Sequence, residues 1–308
     1  MNSSSCRNYQ ENLESFILLS VLSTLSGIVS VAGNFLVLWT IFHTKSLHVV
    51  SNWFIASLAA ADLLVGLLLN PFLSVIGFYR YKQQTLPSAF DTIQGAIWVQ
   101  SILITTYSFA SVSYDRFYAI TKPLHYKEEI TSKKCAIAIA SIWILSSLFS
   151  LQRVFVPKDY LSILWLTTVA LAFIPPLTMT LFCYYFIFKS AKYQRQRIAS
   201  ESVTERKKRN EILKNRKTAF TVAIIIVVFS VLFVPSQVVS ILDITLAYNA
   251  CLLDEIRVFV WPWVSFVALV SSAVNPWILS LRSRHFRQAI KYSVFNTNME
   301  PSTGSVQT

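Results

Sequence analysis

The sequence predicts an all-α membrane protein, a seven-transmembrane helix bundle with a short amphipathic helix after the seventh span. Three observations predict it. Of the 308 residues, 54% are hydrophobic and only 14% are charged, against about 25% charged in a soluble domain. The charges collect in short segments between long apolar runs. Seven of those runs reach the roughly 20 residues that a helix needs to cross the hydrocarbon core. They cover 16–42, 50–78, 90–114, 134–156, 160–188, 218–243 and 258–281. Helices are required because lipid offers unpaired backbone groups no partner, and a β-barrel would show short alternating segments instead.

The elements follow in order. Residues 1–15 are polar and form an extracellular N-terminus, with an N-glycosylation sequon at Asn2 and a cysteine at Cys6. The first apolar run is too long for a signal-peptide core and no basic n-region precedes it, so it stays as the first span. The second span carries Asp62, the fourth Arg153; Asp91 and Lys134 sit at span margins. Pro176 and Pro235 interrupt the fifth and sixth spans in mid-membrane, where each removes a backbone hydrogen bond and kinks the helix. Residues 16–281 thus form the transmembrane domain. Over 282–295, Phe286, Ala289, Ile290 and Val294 fall at three- and four-residue spacing, which predicts an amphipathic cytoplasmic helix along the inner leaflet. The polar remainder, 296–308, is a disordered cytoplasmic tail.

The net charge of +12 is a topology signal. With the N-terminus outside, 21 of the 27 Lys and Arg residues fall in cytoplasmic segments, as the positive-inside rule demands. Arg206-Lys207-Lys208-Arg209 lies between two spans, which argues against a nuclear-localisation or nucleic-acid patch. Four cysteines are too few for a disulfide scaffold, and no C-x-x-C metal spacing occurs. Four His and four Cys yield no nucleophile–base pair or metal cluster, so no enzymatic activity is expected. The multi-pass protein belongs in the plasma membrane, with lipids as its surroundings.

The residues inside these helices resemble the rhodopsin-like (class A) G-protein-coupled receptors along nearly the whole span region. Gly33-Asn34 stands in the first helix and Leu58-Ala59-Ala60-Ala61-Asp62 in the second. Asp115-Arg116-Phe117 closes the third and Pro123-Leu124-His125-Tyr126 follows it. Trp143 marks the fourth, Phe173-x-x-Pro176 with Tyr184 the fifth, Phe229 with Pro235 the sixth, and Asn275-Pro276 the seventh. Each motif alone is weak; all of them in order are specific. The resemblance points within the family either to the melanocortin, adenosine and lysophospholipid branch or to amine-like orphan receptors.

The resemblance implies a transducer that couples an extracellular small-molecule, lipid or peptide ligand to a heterotrimeric G protein. An unpaired carboxylate at mid-membrane costs at least a few kcal/mol, so Asp62 should face inward. By the resemblance it joins Thr105, Ser271 and Asn275, with Ser272 and Asn34 nearby, around a bound sodium ion. Apart from that ion no cofactor is expected. Asp115, Arg116, Tyr184, Phe229, Pro235, Asn275 and Pro276 are the implied signalling residues, with Arg116 paired to Asp115 at rest. By helix position, Asp91, Gln94, Trp98, Ile102, Thr168, Phe233, Gln237, Ser240, Asp243, Trp261 and Ser265 line the ligand pocket, with Asp91 and Asp243 near its mouth.

Several positions depart from the family pattern. Leu279 replaces the usual Tyr after Asn-Pro, Phe233 the usual Trp, and Trp98 the carboxylate by which amine receptors hold an ammonium. Asn215 stands where many relatives carry an acid that restrains the third-helix Arg, which raises the expectation of high basal activity. Asp91 occupies the place of the family's outer third-helix cysteine, so the common loop disulfide cannot form, and a Cys6–Cys251 bridge is suggested in its stead. No Lys lies in the seventh span, which excludes a retinal Schiff base. Two other classes stay open: a heptahelical partner-binding protein with weak or no G-protein coupling, and a transporter or channel.

Overall fold

Each apolar run is helical in the computed structural model, which describes residues 13–157, 160–196, 203–245, 250–282 and 284–295. The spans are α1 (Leu13–His43), α2 (Val50–Tyr81), α3 (Ser88–Thr121), α4 (Ser132–Phe155), α5 (Leu161–Gln196), α6 (Val203–Thr245) and α7 (residues 250–282). A single helical turn, Tyr126–Glu129, links α3 to α4, and Thr131 caps α4 by accepting from the backbone N–H of Lys134 at 3.3 Å. After α7 comes α8 (Arg284–Phe295). The segments 1–12 and 296–308, most of the expected extracellular N-terminus and all of the tail, lie outside the described residues.

Two features differ from the sequence expectation. The helices α5 and α6 run well past the apolar spans, so that the basic segment after residue 188 is largely helical rather than loop. Its Lys, Arg, Gln and Glu side chains lose little rotamer freedom in a helix, and helicity does not need apolar residues. The other feature is a pair of π turns, Val65–Leu69 in α2 and Ile256–Val260 in α7. Each ends two residues before a proline, Pro71 and Pro262. A proline has no N–H for the carbonyl four residues back and its ring crowds that carbonyl; widening the preceding turn relieves the clash. By contrast α5, α6 and α7 stay helical through Pro175, Pro176, Pro235 and Pro276.

Packing is inverted relative to a water-soluble protein. Large apolar side chains point outward, with Leu145 64% and Phe155 80% exposed, an arrangement that only lipid tolerates. The inward face of α1 is instead small and polar, Ser23, Gly27, Ser30 and Asn34, all buried; small residues let helices approach closely where burial from water offers no drive. A Cβ added at Gly33 would lie 2.9 Å from the Pro276 ring of α7. The central α3 is the most deeply buried span. Phe286 and Ala289 of α8 pack in one cluster with Val37, Ile41 and Leu47, so the apolar stripe of α8 is folded back on the bundle at the end where α1 finishes.

Candidate functional site

At the middle of the bundle a polar cluster joins α1, α2 and α7. Asn275 donates from Nδ2 to Oδ2 of Asp62 at 2.8 Å. The hydroxyl of Ser30 lies 3.0 Å from the Asp62 backbone carbonyl and 3.2 Å from Ser272 Oγ. Asn34 donates to the carbonyls of Ser30 at 2.9 Å and of Ser272 at 3.0 Å. Asp62 is 2% exposed, and burial at that depth demands such partners. Ser271 and Thr105 line the same narrow cavity as Asp62 and Ser272, while the Ser271 hydroxyl bonds its own helix at Ala268. The six residues expected around the ion, Asp62, Thr105, Ser271, Asn275, Ser272 and Asn34, are therefore brought together. Ser30 and Ser101 were missed, although each stands one helical turn from a residue that was named, Asn34 and Thr105.

That cavity climbs from Asp62 past Ser101, Thr105 and Ile102 to Trp98 and Phe233. Where the ligand pocket was expected, aromatic rings fill the space: Trp98 lies 6.0 Å from Phe233 and 6.3 Å from Trp261, and Trp261 6.0 Å from Trp165 between ring centroids. Gln94 and Trp261 are half-buried, and Ser265 and Gln237 keep a buried oxygen without a partner. Thr168 and Ser240 bond back to their own helices, at Leu164 and Ser236. The two carboxylates of the mouth are each engaged by an arginine. Asp91 faces Arg153 at 3.5 Å, and Asp243 holds Arg257 through two bonds of 2.6 and 3.1 Å. Trp165 and Ser101 join this region unforeseen, at three-residue spacing from Thr168 and Trp98 respectively.

At the opposite end of α3, Arg116 donates from Nε to Asp115 Oδ2 at 2.8 Å, and its Nη2 meets the same oxygen. Both residues are buried. Tyr126 donates to the other carboxylate oxygen at 2.7 Å. Burial, and next the charge of Asp115, push the Tyr126 phenol above its usual value, which keeps the O–H in place as donor. Tyr184 of α5 donates to the Ala219 carbonyl of α6 at 2.9 Å. Phe229 of α6 sits edge-on to Phe109 at 5.1 Å and stacks on Phe233 at 4.4 Å. Between this end and Asp62 lies a second cavity, apolar but for Asn34, Asp62 and Asn275, and walled by Leu279 where the family's Tyr would stand. The side chain of Asn215 lies outside the described residues, as do Asn2, Cys6 and the side chain of Cys251. Cys135 and Cys183 are buried free thiols.

Seven apolar helices, a buried central carboxylate and an Asp–Arg pair at one end of α3 define a heptahelical membrane receptor. Residues 33–279 match the family described as 7 transmembrane receptor (rhodopsin family), and the chain belongs to it. The chain is 29% identical over 308 residues to the rat (Rattus norvegicus) trace amine-associated receptor 7a, covering 90% of this chain and 82% of the relative. It is 27% identical over 323 residues to the human trace amine-associated receptor 6, covering 94% and 89%. Squid rhodopsin shares the fold, with a TM-score of 0.78 at 20% identity over 92% of this chain and 86% of that one. The chain is a G-protein-coupled receptor, multi-pass in the membrane, and its relatives are receptors rather than enzymes.

Proposed function

We propose that the Trp98 half of the bundle faces outside the cell and takes the ligand, while the Arg116 half meets a heterotrimeric G protein at the cytoplasmic surface. The observation that carries this is the position of Asp62, which lines both the cavity rising to Trp98 and the cavity descending to Leu279. A ligand acts only through its different affinity for two conformers, and a carboxylate shared by two cavities feels changes in either. The Lys and Arg bias toward the Arg116 half supports this orientation. In the active conformer the inner end of α6 moves away from α3, parting Tyr184 from Ala219, and Arg116 leaves Asp115 for the G protein.

The polar centre also suits a sodium ion. Its donors are all oxygens, which hard cations take, and the buried Asn275 Oδ1 has no hydrogen-bond partner. Asp62, Thr105, Ser271 and Asn275 would hold the ion. When bound it supplies the charge that balances Asp62 and favours the resting arrangement.

The test is a ligand screen with a promiscuous G-protein readout, run beside Arg116→Ala at matched surface expression. Ligand-stimulated nucleotide exchange that the variant loses supports the reading. Ligand binding without exchange favours the heptahelical binding protein, and solute flux in vesicles the transporter. The trace amine-associated relatives suggest an amine by name alone, and here Trp98 takes the place of the carboxylate that holds the ammonium.

A further inference from the structure

Around Trp98 several buried polar atoms have no partner: its own indole Nε1–H, Ser101 Oγ, Ser265 Oγ and Gln237 Oε1. Each lies on Trp98 itself or about one helical turn from Trp98 or from a ring packed against it. Ser101 stands three residues beyond Trp98 on α3 and lines the same cavity. Ser265 is four residues beyond Trp261, and Gln237 four beyond Phe233, the two rings packed against Trp98. A buried donor or acceptor left unmet costs about 1–3 kcal/mol, so each such atom marks a place where a ligand atom gains. Among the described residues, the two carboxylates expected at the mouth of this half, Asp91 and Asp243, each face an arginine.

From the reading that the Trp98 half is the ligand side, we propose that the receptor recognises an uncharged aromatic ligand bearing one group that both donates and accepts a hydrogen bond, a hydroxyl or carboxamide. Its acceptor meets the Trp98 N–H and its donor meets Gln237 Oε1, while Ser101 and Ser265 fit either role. Its ring replaces ring–ring contacts in the Trp98, Trp165, Trp261 and Phe233 cluster, offset or edge-on. An alkylammonium, like the lysine head, has donors and no acceptor. It sets its charge against the indole N–H and must displace Arg257 to reach Asp243. Aromatic faces attract cations, yet a cation leaves the Trp98 N–H unmet.

The test uses full-length receptor in lipid nanodiscs with tryptophol and tryptamine, an indole pair that differs in hydroxyl against ammonium. Thermal melting reads binding, and nucleotide exchange on added G protein reads coupling. Tryptophol is expected to raise Tm and tryptamine not. Trp98→Phe keeps a ring and loses the N–H, and Gln237→Leu loses the acceptor; each should weaken tryptophol binding about tenfold. Stabilisation by tryptamine alone, or by neither compound, overturns the ligand class, as does wild-type tryptophol affinity in both variants. Tryptophol binding without exchange supports the ligand class while contradicting G-protein coupling, so the two readings fail separately.

Discussion

Asp62 is held on one oxygen by Asn275, and its surroundings are hydroxyls and amides rather than cations. If sodium completes that shell, the purified receptor melts several degrees higher in sodium chloride than in N-methylglucamine chloride, since about 1 kcal/mol moves Tm by a few degrees at this size. Asp62→Asn keeps an oxygen for Asn275 and should abolish the difference; equal melting of the wild type in both salts would rule the ion out. At the other end, Tyr126→Phe removes a bond to a charged acceptor that is worth about 1.5–3 kcal/mol. Ligand-independent exchange should rise, by at most about tenfold if roughly half of that bond is lost on activation. Because the phenol is shifted upward, its donor persists at all pH values below the ordinary value near 10 and is lost only as pH climbs through the raised one. Basal exchange measured between about pH 6 and 8.5 should show no step from this group. The Asp62–Asn275 and Asp115–Arg116 pairs were legible from motif and helix register. The partners of Asp91 and Asp243 were not, because Arg153 and Arg257 reach across helices by side-chain length, which no periodicity records.

Among the elements, α3 and α4 are joined at the Trp98 end by Asp91 and Arg153 rather than by a disulfide. The Asp91 side chain is 71% exposed, so the pair is worth only about 0–1 kcal/mol. Asp91→Asn should therefore lower Tm little, and its effect should fade at high salt; a large salt-independent loss would contradict an ion pair. Contact between α1 and α7 depends on Gly33. Gly33→Val pushes two methyls toward the Pro276 ring and should cost about 1–3 kcal/mol, read as a drop in Tm and in surface expression. Sequence hydropathy marked all seven helices, with the limits of α1, α2 and α4 to within about three residues. It missed the polar extensions of α5 and α6, since lipid solubility and helix propensity are different properties. The π turns before Pro71 and Pro262 were not legible, since Pro176, Pro235 and Pro276 leave the same carbonyl unbonded in helices that stay regular.

For the whole molecule, one solvent explains both surfaces. Lipid permits Phe155 and Leu145 to face outward, and it confines Asp62 and Arg116 to the interior, where each needs a partner. Seven crossings are an odd number, so the proposed orientation has the two chain ends on opposite sides, with the Lys- and Arg-rich side in the cytoplasm. The most direct measurement places one epitope tag before Met1 and another after Thr308 and stains intact and permeabilised cells. The first tag is expected on intact cells and the second only after permeabilisation. Both tags on intact cells, or neither until permeabilisation, would contradict an odd number of spans and with it the route from ligand to G protein.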